Sequence, residues 1–104
     1  QAEALCKYIS ENIPKNEPII VAGDTNDWRQ NLSPYFSKNA DLKECFLEKQ
    51  GTHAKTFPSW YPMARLDRIY YKNLNLKSCS QLEGKPWNTL SDHLPLMADF
   101  EFQT

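Results

Sequence analysis

The sequence lacks a long hydrophobic run, and that excludes a membrane-spanning helix, which needs about 20 consecutive apolar residues. It also lacks an excess of charge: 12 basic residues against 13 acidic ones leave a net charge of -1. Proteins that grip polyanions by charge alone present a basic surface, so tight nonspecific binding of nucleic acid is disfavoured. Paired cysteines are missing too. Cys6, Cys45 and Cys79 are odd in number and have no C-x-x-C spacing. They read as small buried hydrophobes in a reduced chain, not as a disulfide framework or a zinc knuckle. Neither an internal repeat nor a low-complexity tract is present. An initiating methionine and a signal peptide are absent, and Gln1 reads as the middle of a longer chain. A cytoplasmic setting is the expectation, although no residue pattern encodes a compartment.

What is present suits one small domain of 104 residues. Three Trp, five Tyr and five Phe supply large rings for a core in so short a chain. Leu5, Ile9 and Ile13 recur at four-residue spacing beside Ala2 and Cys6, which predicts an amphipathic helix over 2–13 ended by Pro14. Ile19-Ile20-Val21-Ala22 is a continuous, β-branched run, expected as a strand covered on both faces and closed by Gly23. Helix, loop and buried strand form the latter half of a layered α/β unit. Residues 29–41 read as irregular, with at most one apolar turn of Leu32, Tyr35 and Phe36 around Pro34. Residues 41–49 read as a short helix capped by Asp41 and closed by Gly51. A loop with aromatics follows over 52–62. Strands are predicted at 65–71, around Leu74, Leu76 and Ser78, and at 94–102. In the first of these, Asp67, Ile69 and Tyr71 share one face, and Leu66, Arg68 and Tyr70 the other.

Three stretches place carboxylates at strand ends or on a strand. Gly23-Asp24-Thr25-Asn26 delivers an acid and then a carboxamide to the mouth of the sheet. The acid can take a proton from water, and the carboxamide can hold the water or a phosphoryl oxygen; the same residues also make ordinary turns. Asp67 lies inside an apolar strand, where an unpaired carboxylate is costly, so it needs a partner. His93 is one choice, and Arg65 or Arg68 is the other. Ser91-Asp92-His93 sets an acid beside an imidazole ahead of the last strand, an arrangement that can hold a metal, polarise water or be a solvated turn.

Trp28, Trp60 and Tyr61 could stack on a base or a lipid headgroup, or serve as core and rim aromatics. Arg29 and Arg65 could grip phosphate, whereas Arg68 alternates away from Asp67 and reads as structural. His53 stands in a polar loop and reads as solvated. His53, His93 and Cys79 have no zinc-ligand spacing.

In this order, the three motifs resemble the C-terminal half of the endonuclease/exonuclease/phosphatase superfamily, the metal-dependent phosphoesterases related to deoxyribonuclease I and exonuclease III. Ile20-Val21-Ala22-Gly23-Asp24-Thr25-Asn26 is similar to the strand-G-D-x-N signature, Leu66-Asp67-Arg68-Ile69 to the L-D-x-I strand, and Ser91-Asp92-His93 to the S-D-H signature. Thr56-Phe57-Pro58-Ser59-Trp60 followed by Arg65-Leu66-Asp67-Arg68-Ile69-Tyr70 resembles bacterial members of unassigned substrate. The resemblance covers essentially the whole chain.

It implies half of a four-layer α/β/β/α sandwich, with one mostly antiparallel sheet and helices on one face. It implies that Asp24 orients or deprotonates the attacking water, that Asn26 helps hold the water and the oxyanion, and that Asp92 contributes to a Mg²⁺ or Mn²⁺ site. His93 would contact the scissile phosphate, fixed and charged by Asp67. Trp28, Arg29 and Trp60 would be substrate-binding candidates. The implied substrate is a phosphate ester, whether nucleic acid, nucleotide or phospholipid headgroup. The family's N-terminal half, with its Asn, its metal-binding Glu and a further His or Tyr, has no counterpart in these residues. Residues 1–104 are therefore expected to be the C-terminal portion of such a domain, inactive or weak alone. An uncovered sheet face is expected to pair two copies into a homodimer. The alternative is a non-catalytic half-domain that acts as a binding or self-assembly module.

Overall fold

The computed structural model describes residues 2–27 and 30–103. The order of elements is α1 (Ala2–Asn12), β1 (Ile19–Asp24), α2 (Leu32–Ala40), β2 (Lys43–Glu44), α3 (Cys45–Gln50), β3 (Asp67–Lys72), β4 (Leu74–Gln81), α4 (Trp87–Leu90) and β5 (Leu96–Phe102). This is an α/β fold with antiparallel pairing, as expected. The strands are divided over two sheets rather than one: β1-β3-β2 and β4-β5. Asn73 stands at the break. It takes a left-handed conformation (φ 59°) between β3 and β4, and its amide Nδ2 donates to the carbonyls of Lys15 (2.7 Å) and Glu17 (2.9 Å). One residue thus turns the chain out of the first sheet and ties the corner to the α1–β1 loop.

β3 is the central strand, and its alternation serves two cores. Tyr70 joins Cys6, Ile9, Ile19, Phe36 and Leu42 beneath α1 and α2. Its ring meets Phe36 edge-on at 4.9 Å. Tyr71 points the other way, to Cys45, Phe46, Ala54 and Leu74, with Leu76, Leu96, Ala98 and Phe100 around them. Both faces of β3 are therefore covered, in the alternation expected from its sequence. β1 is not covered in the same way. Ile19 is buried, but Ile20 and Ala22 are exposed. Ile20 pairs with Tyr71 at the margin of the second core, where β4-β5 stops short of it.

The helix expectations need two corrections. Residues 29–41 are not irregular, because α2 runs nine residues through Pro34. Proline fits in a first turn, where its missing N–H has no intrahelical partner to lose. Asp41 does not cap a following helix; it ends α2 in a left-handed conformation (φ 55°). The cap of α3 is Glu44, whose carboxylate accepts the Leu47 N–H at 3.0 Å. Gly51 closes α3 at φ 81°, a conformation glycine adopts at no steric cost.

His53 is the clearest reversal, since it is buried rather than solvated. Its Nδ1 lies 2.9 Å from Glu44 Oε1 and its Nε2 3.0 Å from Ser33 Oγ. Ser33 Oγ lies 2.8 Å from the Tyr70 hydroxyl, which accepts from Arg68 Nη1 at 3.3 Å. A ring protonated on Nδ1 gives every proton of this chain an acceptor: Arg68 to Tyr70, Tyr70 to Ser33, Ser33 to His53, His53 to Glu44. A network spanning α2, β2 and β3 was invisible to a reading that treated residues 52–62 as an open loop.

All three cysteines are free thiols. Burial, followed by the charges of Glu44 and Cys79, pushes the Cys45 thiol up to about 12. Burial also raises Cys6 and Cys79, so none has the lowered pKa of a reactive thiolate. Among the described residues, no helix is long and apolar enough to cross a membrane.

Candidate active site

Antiparallel pairing of β1 with β3 sets Asp24 directly opposite Asp67. Two like charges in register repel each other, so the pair needs a cation between them. His93 supplies it. Its Nδ1 donates to Asp67 Oδ2 at 2.6 Å, and its Nε2 stands 3.7 Å from Asp24 Oδ2. Among the described residues, Asp24, Asp67 and His93 form a group whose ligand atoms lie within 4.8 Å of one another. Asp67 thus takes His93 as its partner rather than an arginine. Arg65 Nε donates instead to the His53 carbonyl at 2.9 Å, and Arg68 pairs with Asp27 at 3.3 Å.

Each member is held from behind. Thr56 Oγ1 donates to Asp67 Oδ2 at 2.5 Å and accepts the Asp67 N–H at 3.3 Å. The Phe57 ring lies 4.9 Å from the His93 ring, and the Ser91 hydroxyl accepts the His93 N–H at 3.2 Å. Asp24 Oδ1 accepts the Asn26 N–H at 2.9 Å, with Asn26 in a left-handed conformation (φ 52°). This is the local turn that Asp and Asn favour, and it leaves Oδ2 facing the imidazole. Thr25 anchors the loop by donating both its N–H and its hydroxyl to the Leu66 carbonyl, each at 2.9 Å.

Asp27 and Arg68 brace the loop from below. The Asp27 carboxylate accepts the N–H groups of Asn31 (3.1 Å) and Leu32 (2.7 Å) at the start of α2. Desolvation pushes Asp27 up, but those N–H bonds and the Arg68 guanidinium outweigh it and hold the carboxyl below its usual value. Arg68 is fully buried, as its structural reading requires.

Asp92 stands outside the three-residue group. Its side chain is exposed, and its carbonyl accepts the Ser59 N–H at 2.8 Å. Trp60 is exposed on the loop that follows. Trp28 and Arg29 lie outside the described residues. Sequence reasoning did not single out Thr56, Asp27 or Phe57 for these positions. Only Thr56 left a signal: a hydroxyl residue beside an aromatic, a short loop away from a strand carboxylate.

The bond to Asp67 raises His93 above 6.5; desolvation opposes the rise, and the charges of Asp67, Asp24 and Asp92 reinforce it. Folding therefore favours the protonated ring. That contribution to stability is complete below pH 6.5 and is lost as pH rises through the higher folded value. In Asp67→Asn, the His93 midpoint should fall back toward its ordinary value in a metal-free NMR titration of the ring protons. A midpoint that stays where it was would remove Asp67 as the main cause.

A sequence profile of the Endonuclease/Exonuclease/phosphatase family matches residues 1–93. The chain belongs to this family. The uncharacterized protein YbhP of Escherichia coli strain K12 is 42% identical over 99 residues, 95% of this chain. Its counterparts in Escherichia coli O6:H1 and Shigella flexneri match equally well. The chain spans 39% of the length of these relatives. No solved structure matches.

Proposed function

We propose that residues 1–104 are the C-terminal portion of a divalent-metal-dependent phosphoesterase that hydrolyses a phosphodiester or phosphomonoester by in-line attack of water. The observation that carries this reading is the His93 ring, bonded on Nδ1 to Asp67 and turned on Nε2 toward Asp24. At 3.7 Å the second contact is longer than a hydrogen bond, so the Nε2 proton can be offered to a phosphate oxygen. Asp67 keeps the ring charged and oriented. Asp24 Oδ2 takes or directs the proton of the attacking water, and Asn26 beside it helps hold that water and the developing oxyanion. Trp60 is a rim contact for the rest of the substrate, with Trp28 and Arg29 as further candidates.

The donors suit a hard cation. Asp92 would hold the ion through a carboxylate open to solvent, as Mg²⁺ or Mn²⁺ is commonly held while keeping much of its water. When bound, the ion would neutralise the charge that builds on the phosphoryl oxygens. The test is hydrolysis of a generic aryl phosphodiester by this chain with Mg²⁺ or Mn²⁺ and with EDTA. Turnover that needs the ion supports the reading. An EDTA-insensitive rate removes it for this chain.

A second reading, a binding or self-assembly module, draws on the open margin of β1. A groove of about 290 Å³ is lined by Pro18, Ile20, Leu74, Phe100 and Phe102, and Ile20 and Phe102 are exposed. Two copies could bury this surface against each other across a two-fold axis. Light scattering at micromolar concentration should then give twice the 12.1 kDa chain mass; a monomeric mass would end the dimer reading.

A further inference from the structure

Residues 57–64 form a closed loop beside His93 that contains no charged side chain. Trp60 is 73% exposed, Tyr61 65% and Met63 63%. Its N–H groups, in contrast, are mostly bonded already. Pro58 and Pro62 have no N–H. Phe57 and Met63 donate to the carbonyls of Ala64 (3.3 Å) and Phe57 (3.0 Å), Ala64 to Phe57 (2.9 Å), Tyr61 to Pro58 (3.1 Å) and Ser59 to Asp92 (2.8 Å). The Ser59 hydroxyl donates to the Ser91 carbonyl at 2.5 Å, which pins the loop to the turn carrying Leu90, itself 68% exposed.

We propose that this loop, together with Leu90, is a docking surface that seats the Asp24–Asp67–His93 site on a zwitterionic phospholipid bilayer. Three features on the loop and its surroundings select that occupant. Trp and Tyr carry apolar rings with one polar atom, which suits the boundary between headgroups and acyl chains. A segment entering that boundary loses water, so its N–H groups must already have partners, and here five of them do. A protein partner that adds a strand would need a run of free N–H groups, and five of the six in this loop are already bonded. Charge disfavours a polyanion, because Asp24 and Asp67 stand together at the adjoining site and the chain is net acidic. The loop is held rigid at both ends, so little conformational entropy is lost when it docks.

The inference goes beyond the phosphoesterase reading and does not rest on it, because partitioning is measured without turnover. The experiment is co-sedimentation of the 104-residue chain with phosphatidylcholine vesicles, beside Met63→Ser/Leu90→Ser and Trp60→Ala. All three substituted side chains are exposed, so far-ultraviolet circular dichroism should show each variant folded. The expected result is lipid-dependent pelleting that survives 0.5 M salt and falls about tenfold in each variant. Three outcomes would overturn the proposal: no pelleting by the unmodified chain, equal pelleting by the variants, or pelleting only with anionic vesicles and abolished by salt. Binding to a single-stranded oligonucleotide that needs Trp60, with no vesicle binding, would assign the loop to base stacking instead.

Discussion

Asp24→Ala and His93→Ala should each lower ion-dependent hydrolysis of an aryl phosphodiester by roughly a hundred- to ten-thousand-fold. The argument rests on one shared space. Asp24 Oδ2 and His93 Nε2 face each other at 3.7 Å, so the water that one directs and the oxygen that the other contacts belong to the same reacting phosphate. Residues that act as a unit are not additive, so the double variant should be little worse than either single one. Multiplicative losses would mean that the two groups act in separate steps. The pH profile carries a second signature. His93 works protonated in this scheme, so the rate should fall as pH rises through its raised pKa. In Asp67→Asn that fall should move to lower pH, because the hydrogen bond that stabilises the charged ring is gone. Circular dichroism of each variant separates lost chemistry from lost fold.

Arg68→Leu should cost about 3–5 kcal/mol of stability, the range typical of a buried ion pair deprived of one partner. For a domain of this size, that lowers the melting temperature by roughly 12–25 °C. The guanidinium has no solvent exposure and donates to Asp27 Oδ2, the Asp27 carbonyl, the Arg65 carbonyl (2.7 Å) and the Tyr70 hydroxyl. Its Nε is buried without a partner among the described residues, so the side chain already bears some desolvation that is not repaid. Truncation strands Asp27 and leaves Tyr70 at the open end of its hydrogen-bond chain. Adding Asp27→Asn removes the stranded charge and should recover part of the loss. Urea unfolding measures both variants, and a double variant no better than the single would mean that the carboxylate is not what Arg68 serves.

The site was legible to different depths. Asp24, Asp67 and His93 stand in three separate motifs, and each motif alone has an innocent turn or strand explanation. Their order along the chain indicated one centre. The choice between His93 and an arginine for Asp67 could not be made from spacing, because both arginines are nearer in sequence. It turned on where β3 directs alternate side chains: Asp67 toward the turn before β5, and Arg68 toward the loop after β1. Asp92 sits next to His93 in the sequence, yet its carboxylate is outside the three-residue group, because adjacent residues on a turn do not share a direction. His53 failed for a related reason. A histidine among polar neighbours reads as solvated, and only the packing of Glu44 from β2 and Ser33 from α2 encloses it.

By itself the sequence determined the local elements and the chemistry they bring. The four-residue apolar spacing made α1, the β-branched run made β1, alternation set the two faces of β3, Gly51 ended α3, and three motifs supplied an acid, a second acid and an imidazole. Tertiary structure decided which of these meet. Asp27 starts α2 from four and five residues upstream, beyond the reach of any local capping rule. Asn73, where the expected single sheet gives way to two, is tied to carbonyls more than fifty residues away. Asp67 finds His93 across 26 positions because two elements converge on the same end of the sheet. Local propensity is read from neighbours in the chain, whereas desolvation and charge pairing are settled between neighbours in space.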